Sequence, residues 1–257
     1  SICSVRSKYW PNLGIILDRN LFGIFVNSVV LKEIDMRALV TGGALRLGRE
    51  MALYLAGQGY DVAVHFARSE QEAQSTVLAI REMGRNAVAL QADLLDEDQT
   101  SSLIKRAVDG LGGRLDILVN NASIFEHDTI KSATRESWDR HIESNLRAPF
   151  VLIQEFAKQA PEARDDANGE PQAQALIVNM LDQRVRKLTP DFMSYTLAKM
   201  GLWALTQTSA QALAPSIRVN AIGPGPTLQG ARQSADHFEL SLIHISEPTR
   251  LLSISYA

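Results

Sequence analysis

Tyr195 and Lys199 stand four apart in the string SYTLAK, so a helix would present a phenol and an ammonium on one face. That is an arrangement for giving a proton to a substrate. The chain has five tyrosines, so a chance Tyr-x-x-x-Lys is not rare and the pair alone is a weak signal. Asp182, 13 residues before Tyr195, complicates the reading. A reductase that delivers hydride to a carbonyl builds an oxyanion, which a neutral hydroxyl stabilises by donating to it. An ionised carboxylate about 4 Å away would instead cost roughly 4 kcal/mol at an effective dielectric near 20. That is on the order of a thousandfold in rate. Asp182 must therefore be protonated, point elsewhere or serve a different reaction.

A second group of residues suits a dinucleotide. ALVTGGALRLGRE (38–50) reads as strand, turn and helix start. Gly42, Gly43 and Gly48 let the backbone approach a pyrophosphate, with the amides from Arg46 and Leu47 onward facing it. Arg46 replaces the middle glycine of the usual fingerprint. A plain connecting turn is the alternative. The next strand ends in HFARS, with His65, Arg68 and Ser69 and no acid until Glu70. An acid there would hold a ribose 2′-hydroxyl, whereas Arg68 pairs with a 2′-phosphate and Ser69 donates to it. NADPH is favoured over NADH, unless Arg68 only begins a solvated helix.

The elements that must carry these residues alternate. RALVTG (37–42), YDVAVHF (60–66), NAVALQAD (86–93), LDILVNNA (115–122), QALIVNML (174–181) and IRVNAIGPG (217–225) read as strands. They are apolar throughout, as in a parallel sheet buried on both faces. Helical patterns fill 47–57, 70–83, 97–110, 134–159 and 190–213, long enough for crossovers. The expected fold is α/β, a single doubly wound parallel-sheet Rossmann domain. PEARDDANGEPQ (161–172) reads as a polar surface loop.

The totals agree with one soluble domain: 257 residues, 46% hydrophobic and 21% charged. A net charge of −3 gives no footprint for nucleic acid or an acidic membrane surface. The single Cys3 offers neither an internal disulfide nor a metal cluster, which fits a reducing, cytoplasmic setting. LFGIFVNSVVL (21–31) is too short to span a bilayer. Residues 1–35 are expected to be a leader outside the working domain, which would run over 36–240. SLIHISEPTR (241–250) resembles the translation of a sequencing-library adapter, so 241–257 are expected to be an artefactual tail. On that reading the last strand and helix of the fold are missing.

Together TGGALRLG, the AD at 92–93, NNAS (120–123), Asn145, YTLAK and IRVNAIGPGPT resemble the short-chain dehydrogenase/reductase family over about residues 36–230. The resemblance implies that Tyr195 is the proton donor and that Lys199 lowers its pKa and holds the nicotinamide ribose. It implies that Asn145 anchors a water linking Lys199 to solvent, and that Asp93 contacts the adenine. Asn121, Ala122, Pro224, Gly225 and Thr227 would line the cofactor. Most carbonyl-reducing members carry Ser where Asp182 stands. Arg46 and Asp182 together are similar to the pteridine reductase branch, which implies reduction of C=N bonds of pterins or folates with NADPH. Ser123 and Phe125 would then sandwich the flat substrate, with Arg46, Asp182 and Tyr195 around it. Arg184, Arg186 and Lys187 could favour an acidic substrate tail, although a solvated loop is the preferred reading. The resemblance also implies a homo-oligomer built on helices 134–159 and 190–213. The rivals are a carbonyl reductase such as a 3-oxoacyl reductase, with Asp182 protonated, and a non-catalytic nucleotide-binding fragment.

Overall fold

The computed structural model describes residues 36–224. The expected leader and tail, with Gly225 and Thr227, lie outside the described residues. Six strands form one parallel sheet: β1 (Met36–Val40), β2 (Tyr60–Phe66), β3 (Ala87–Gln91), β4 (Ile117–Asn120), β7 (Ala175–Met180) and β8 (Ile217–Ile222). Their spatial order is β3-β2-β1-β4-β7-β8. The order reverses between β1 and β4, and the crevice beyond the carboxyl ends there is where such sheets bind ligands.

Alternation along each strand divides the core. Val40, Val64, Val119 and Val178 face α1 (Arg46–Gly57) and α2 (Glu70–Glu82), packing on Met51, Leu55, Val77 and Ile80. Leu39, Leu118, Ile177 and Val219 face the other way. They meet Leu103, Leu152 and Phe156 from α3 (Glu97–Leu111) and α5 (Ala148–Gln159). Each strand is thus apolar on both faces, which is why all six were legible as unbroken runs.

Three local departures from the expected elements bear on the site. The helix expected over 134–159 is three pieces: α4 (Arg135–Ile142), a π-helical turn (Glu143–Arg147) and α5. The extra residue in that turn holds Asn145 inward and fully buried. The helix expected from 190 starts later, as α6 (Met193–Leu213), because Phe192 takes a left-handed backbone (φ 58°) that a helix cannot continue through. The expected loop at 161–172 contains a small antiparallel ladder, β5 (Arg164–Asp165) with β6 (Pro171–Gln172). No helix among the described residues is long and apolar enough to cross a membrane.

The glycine turn is packed as tightly as its sequence suggests. A Cβ on Gly48 would overlap the Gly42 carbonyl oxygen, whereas one on Gly57 would meet nothing within 4 Å. Gly48→Ala is therefore expected to destabilise the fold by about 1–3 kcal/mol through overpacking. Gly57→Ala should be neutral or slightly stabilising, and thermal unfolding of the two variants checks the contrast.

Candidate active site

The turn after β1 is held from two sides. The Thr41 hydroxyl accepts from the Asn121 and Ala122 amides at 2.9 and 3.0 Å, and Asn121 Nδ2 donates to the Thr41 and Gly42 carbonyls. Gly42 itself sits at φ 61°. His65 closes the other side: Nδ1 accepts from the Gly42 amide at 3.0 Å, and Nε2 donates to the Ala92 carbonyl at 3.1 Å. Burial pushes this imidazole down to about 4, so it is neutral at any working pH. Expected among the cofactor contacts, His65 has both ring nitrogens engaged and sets the shape of the turn.

Arg46, standing where the fingerprint has glycine, keeps a glycine-like backbone at φ 51°. A side chain in that conformation costs about 1–2 kcal/mol. Leu45, at the N-cap of α1, makes no side-chain capping bond, and no acid stands in the first turn. That end is chemically suited to an anion. Leu47 packs its side chain against the core. Arg68 is exposed and Ser69 half-buried at the start of α2, and Asp93 is exposed two residues past the end of β3. One Asp93 oxygen accepts from the Leu95 amide. Pro224 is half-buried, just past β8. The residues present thus fit a dinucleotide with a 2′-phosphate.

Across the crevice, Tyr195 in the first turn of α6 donates its hydroxyl to Asp182 Oδ2 at 2.9 Å. The other Asp182 oxygen accepts from the Arg184 amide at 2.8 Å and lies 3.6 Å from the Arg184 guanidinium. Asp182 therefore neither points elsewhere nor stands alone. Burial, then the Asp182 charge and hydrogen bond, push the Tyr195 phenol well above its ordinary value, against smaller opposing effects of Arg184 and Ser123. Lys199 is buried, donates to the Met180 carbonyl at 2.7 Å and is itself pushed down to about 8 by burial, with Asp182 opposing. Asn145 spends its side chain on the Ile124 backbone, accepting from the amide at 2.9 Å and donating to the carbonyl at 2.8 Å. Its side chain thus holds the loop after β4.

Over this group lies an aromatic wall, of which the sequence reading anticipated Phe125 but missed Phe192. Phe125 meets the Tyr195 ring edge-on at 4.7 Å and stacks on Phe192 at 4.2 Å, nearly parallel. The Arg184 guanidinium lies 4.7 Å from the Phe192 ring centre and 5.3 Å from that of Phe125. Arg184 is part of the site rather than a solvated loop, whereas Arg186 and Lys187 are exposed. Ser123 is exposed beside Tyr195. The one available sequence signal was the pair of aromatic and basic residues in QRVRKLTPDF, which gave no indication of a stack with Phe125.

A family profile described as "short chain dehydrogenase" matches residues 36–239. The chain belongs to the short-chain dehydrogenase family. Among solved structures, this short-chain dehydrogenase is similar to FolM alternative dihydrofolate reductase 1 from Brucella canis, complexed with NADP. Identity is 43%, over 83% of this chain and 80% of that one, with a TM-score of 0.75. It is also similar to a short chain dehydrogenase from Burkholderia cenocepacia in complex with NADP. There the identity is 33% over 74% of each chain, with a TM-score of 0.67. Among characterised relatives, 3-oxoacyl-[acyl-carrier-protein] reductase FabG of Staphylococcus aureus is 35% identical over 189 residues, 73% of each chain.

Lys199 makes this short-chain dehydrogenase pay a stability cost that can be read out. Its pKa is lower folded (about 8) than unfolded (ordinarily about 10.5), so the folded state binds fewer protons between those values. Stability linked to this group therefore rises with pH across that window and is fully penalised below it. A shift of this size corresponds to about 3 kcal/mol. Lys199→Met is expected to be more stable than the parent at pH 7 by up to about that amount, with the gain shrinking between pH 8 and 10.5. Denaturant unfolding at several pH values measures it.

Proposed function

We propose that this short-chain dehydrogenase is an NADPH-dependent reductase of the C=N bond of a dihydropterin or dihydrofolate. The observation that carries this reading is the Tyr195–Asp182 hydrogen bond. A carbonyl reductase needs an acid strong enough to protonate an oxyanion near neutral pH, and the catalytic pKa is best placed close to that pH. A ring nitrogen with a lone pair asks for something else: a proton shared between two oxygens, either of which can present it. Tyr195 and Asp182 supply that pair. Asp182 is only partly buried, so the pair can be recharged from solvent. Its carboxylate also suits the amino edge of a pterin, and the partly exposed ring of Phe125 suits a flat partner.

NADPH, when bound, would supply the hydride. Arg68 and Ser69 would hold its 2′-phosphate, the start of α1 with Arg46 its pyrophosphate, and Asp93 its adenine. Lys199 would reach its nicotinamide ribose, while Asn121, Ala122 and Pro224 line its path. NADP in the crystallised relatives supports this choice. We further take the enzyme to work in the cytoplasm as a homo-oligomer.

The similarity to a 3-oxoacyl reductase favours a second reading, carbonyl reduction with Asp182 protonated. NADPH oxidation measured with dihydrobiopterin and with an acetoacetyl thioester separates the two, and turnover of the thioester alone would overturn the first. Asp182→Ser is expected to lower pterin turnover by roughly a hundredfold or more, the scale of a lost general acid–base group. NADPH affinity should barely change. Arg68→Glu should do the reverse, raising the KM for NADPH about ten- to a hundredfold through a lost charged hydrogen bond, with little effect on kcat.

A further inference from the structure

We propose that Asp128, with Ser194 and His141, forms a buried positioning cluster that fixes Tyr195 for proton transfer. The inference rests on Tyr195 being the proton donor of the proposed reaction, but on nothing about the substrate.

Helix α6 begins without a cap of its own. Phe192, at its N-cap position, is left-handed and makes no side-chain capping bond. Orphan amides at a helix start need acceptors. Here Asp128, distant in sequence, supplies them. Its backbone carbonyl accepts from the Phe192 amide at 2.7 Å and the Met193 amide at 3.3 Å. Its carboxylate accepts from the Ser194 amide at 3.1 Å, from the Ser194 hydroxyl through a very short bond, and from the Ser137 hydroxyl of α4 at 3.2 Å. Burial alone would raise this carboxyl, yet the Ser194 and Ser137 bonds and nearby His141 hold it below the usual range.

His141 completes the cluster. The Glu126 amide donates to its Nε2 at 3.1 Å, so the neutral ring carries its proton on Nδ1, 2.7 Å from Ser194 Oγ. The ring therefore donates to Ser194, whose own proton goes to Asp128. This direction excludes a nucleophilic serine, because His141 has no lone pair facing it, and Ser194 and His141 are fully buried. Every polar atom that meets Ser194 instead fixes the residue immediately before Tyr195. The His141 ring also lies edge-on to the Tyr195 ring, 5.9 Å between centres. The cluster thereby ties the loop after β4, helix α4 and the start of α6 to one point.

Asp128, Ser194 and His141 touch no reacting atom, so they are positioning residues. The test uses the full chain with Ser194→Ala, Asp128→Ala and Asp128→Asn. A displacement near 1 Å at a reacting group can cost about a hundredfold. Ser194→Ala and Asp128→Ala are expected to lose about ten- to a hundredfold in kcat, with NADPH affinity within about twofold. Asp128→Asn, which keeps an acceptor for the Ser194 amide, should recover part of that loss. A merely structural cluster would lower Tm in Ser194→Ala while leaving kcat within about twofold, and that result would overturn the proposal. A second measurement needs no substrate. In protein labelled with ring-13C tyrosine, the Tyr195 signal, assigned by its loss in Tyr195→Phe, should shift or broaden in Ser194→Ala. An unmoved signal overturns the proposal. Failure of the parent chain to reduce either dihydrobiopterin or the thioester would sink the functional reading, and the tyrosine signal would still decide this one.

Discussion

A 2.9 Å hydrogen bond from Tyr195 to Asp182 joins the two sides of the candidate site, and most of the local structure serves to hold its ends. Asp182 leaves the sheet just after β7, and its carboxylate caps the short 3-10 turn Gln183–Val185 through the Arg184 amide. Tyr195 enters on α6, whose start is fixed from across the crevice by Asp128. The intervening segment could adopt many shapes. It is closed into one by the Phe125–Phe192 stack and by Arg184, which touches both the aromatic wall and the carboxylate. A change at any of these contacts reaches the Tyr195–Asp182 bond.

The site gathers conformations and charges that cost stability elsewhere avoided. Lys199 is an amine buried against the Met180 carbonyl, Arg46 and Phe192 occupy left-handed backbone, and the Arg184 Nε has no hydrogen-bond partner. Strain of this kind persists only where the surroundings over-determine it. The surroundings here are a sheet buried on both faces, with Leu39, Val40, Leu118, Val119, Ile177 and Val178 inaccessible to solvent. The rigid layer stops where the chemistry starts, at Asn120 and Met180, the last residues of β4 and β7.

Legibility in the sequence followed the range of the interactions. The six strands and most helix spans could be read because each is specified by its own apolar pattern. The glycine turn was readable too, since its glycines act where they stand, Gly48 directly against the Gly42 carbonyl. The π turn at Asn145 was not: its sequence continues a helical pattern, and the bulge is set by the bonds that Asn145 makes to Ile124. His65 was placed with the cofactor because of its neighbours in HFARS, but its partners are Gly42 and Ala92, brought together only by strand pairing. Asp128 carried no signal at all. Its work depends on Ser194, 66 residues away.

The repulsion argument that first singled out Asp182 also changes once its neighbours are known. Taken alone, a carboxylate about 4 Å from an oxyanion costs roughly 4 kcal/mol. Arg184 stands 3.6 Å from that carboxylate and offsets part of its field, so repulsion by itself discriminates less against carbonyl reduction than the sequence suggested. What remains is the acidity of the phenol. Arg184 acts on Tyr195 as well, lowering its pKa, yet burial and the bond to Asp182 outweigh it. Acidity does not separate the reactions either, because a weaker acid gives its proton less readily to any acceptor; what favours a ring nitrogen is the second oxygen beside the phenol, on Asp182. The discriminating feature is therefore the pairing of the Tyr195 and Asp182 oxygens, with the Phe125 ring packed on Tyr195 and the Asp128 carboxylate bonded to the start of its helix.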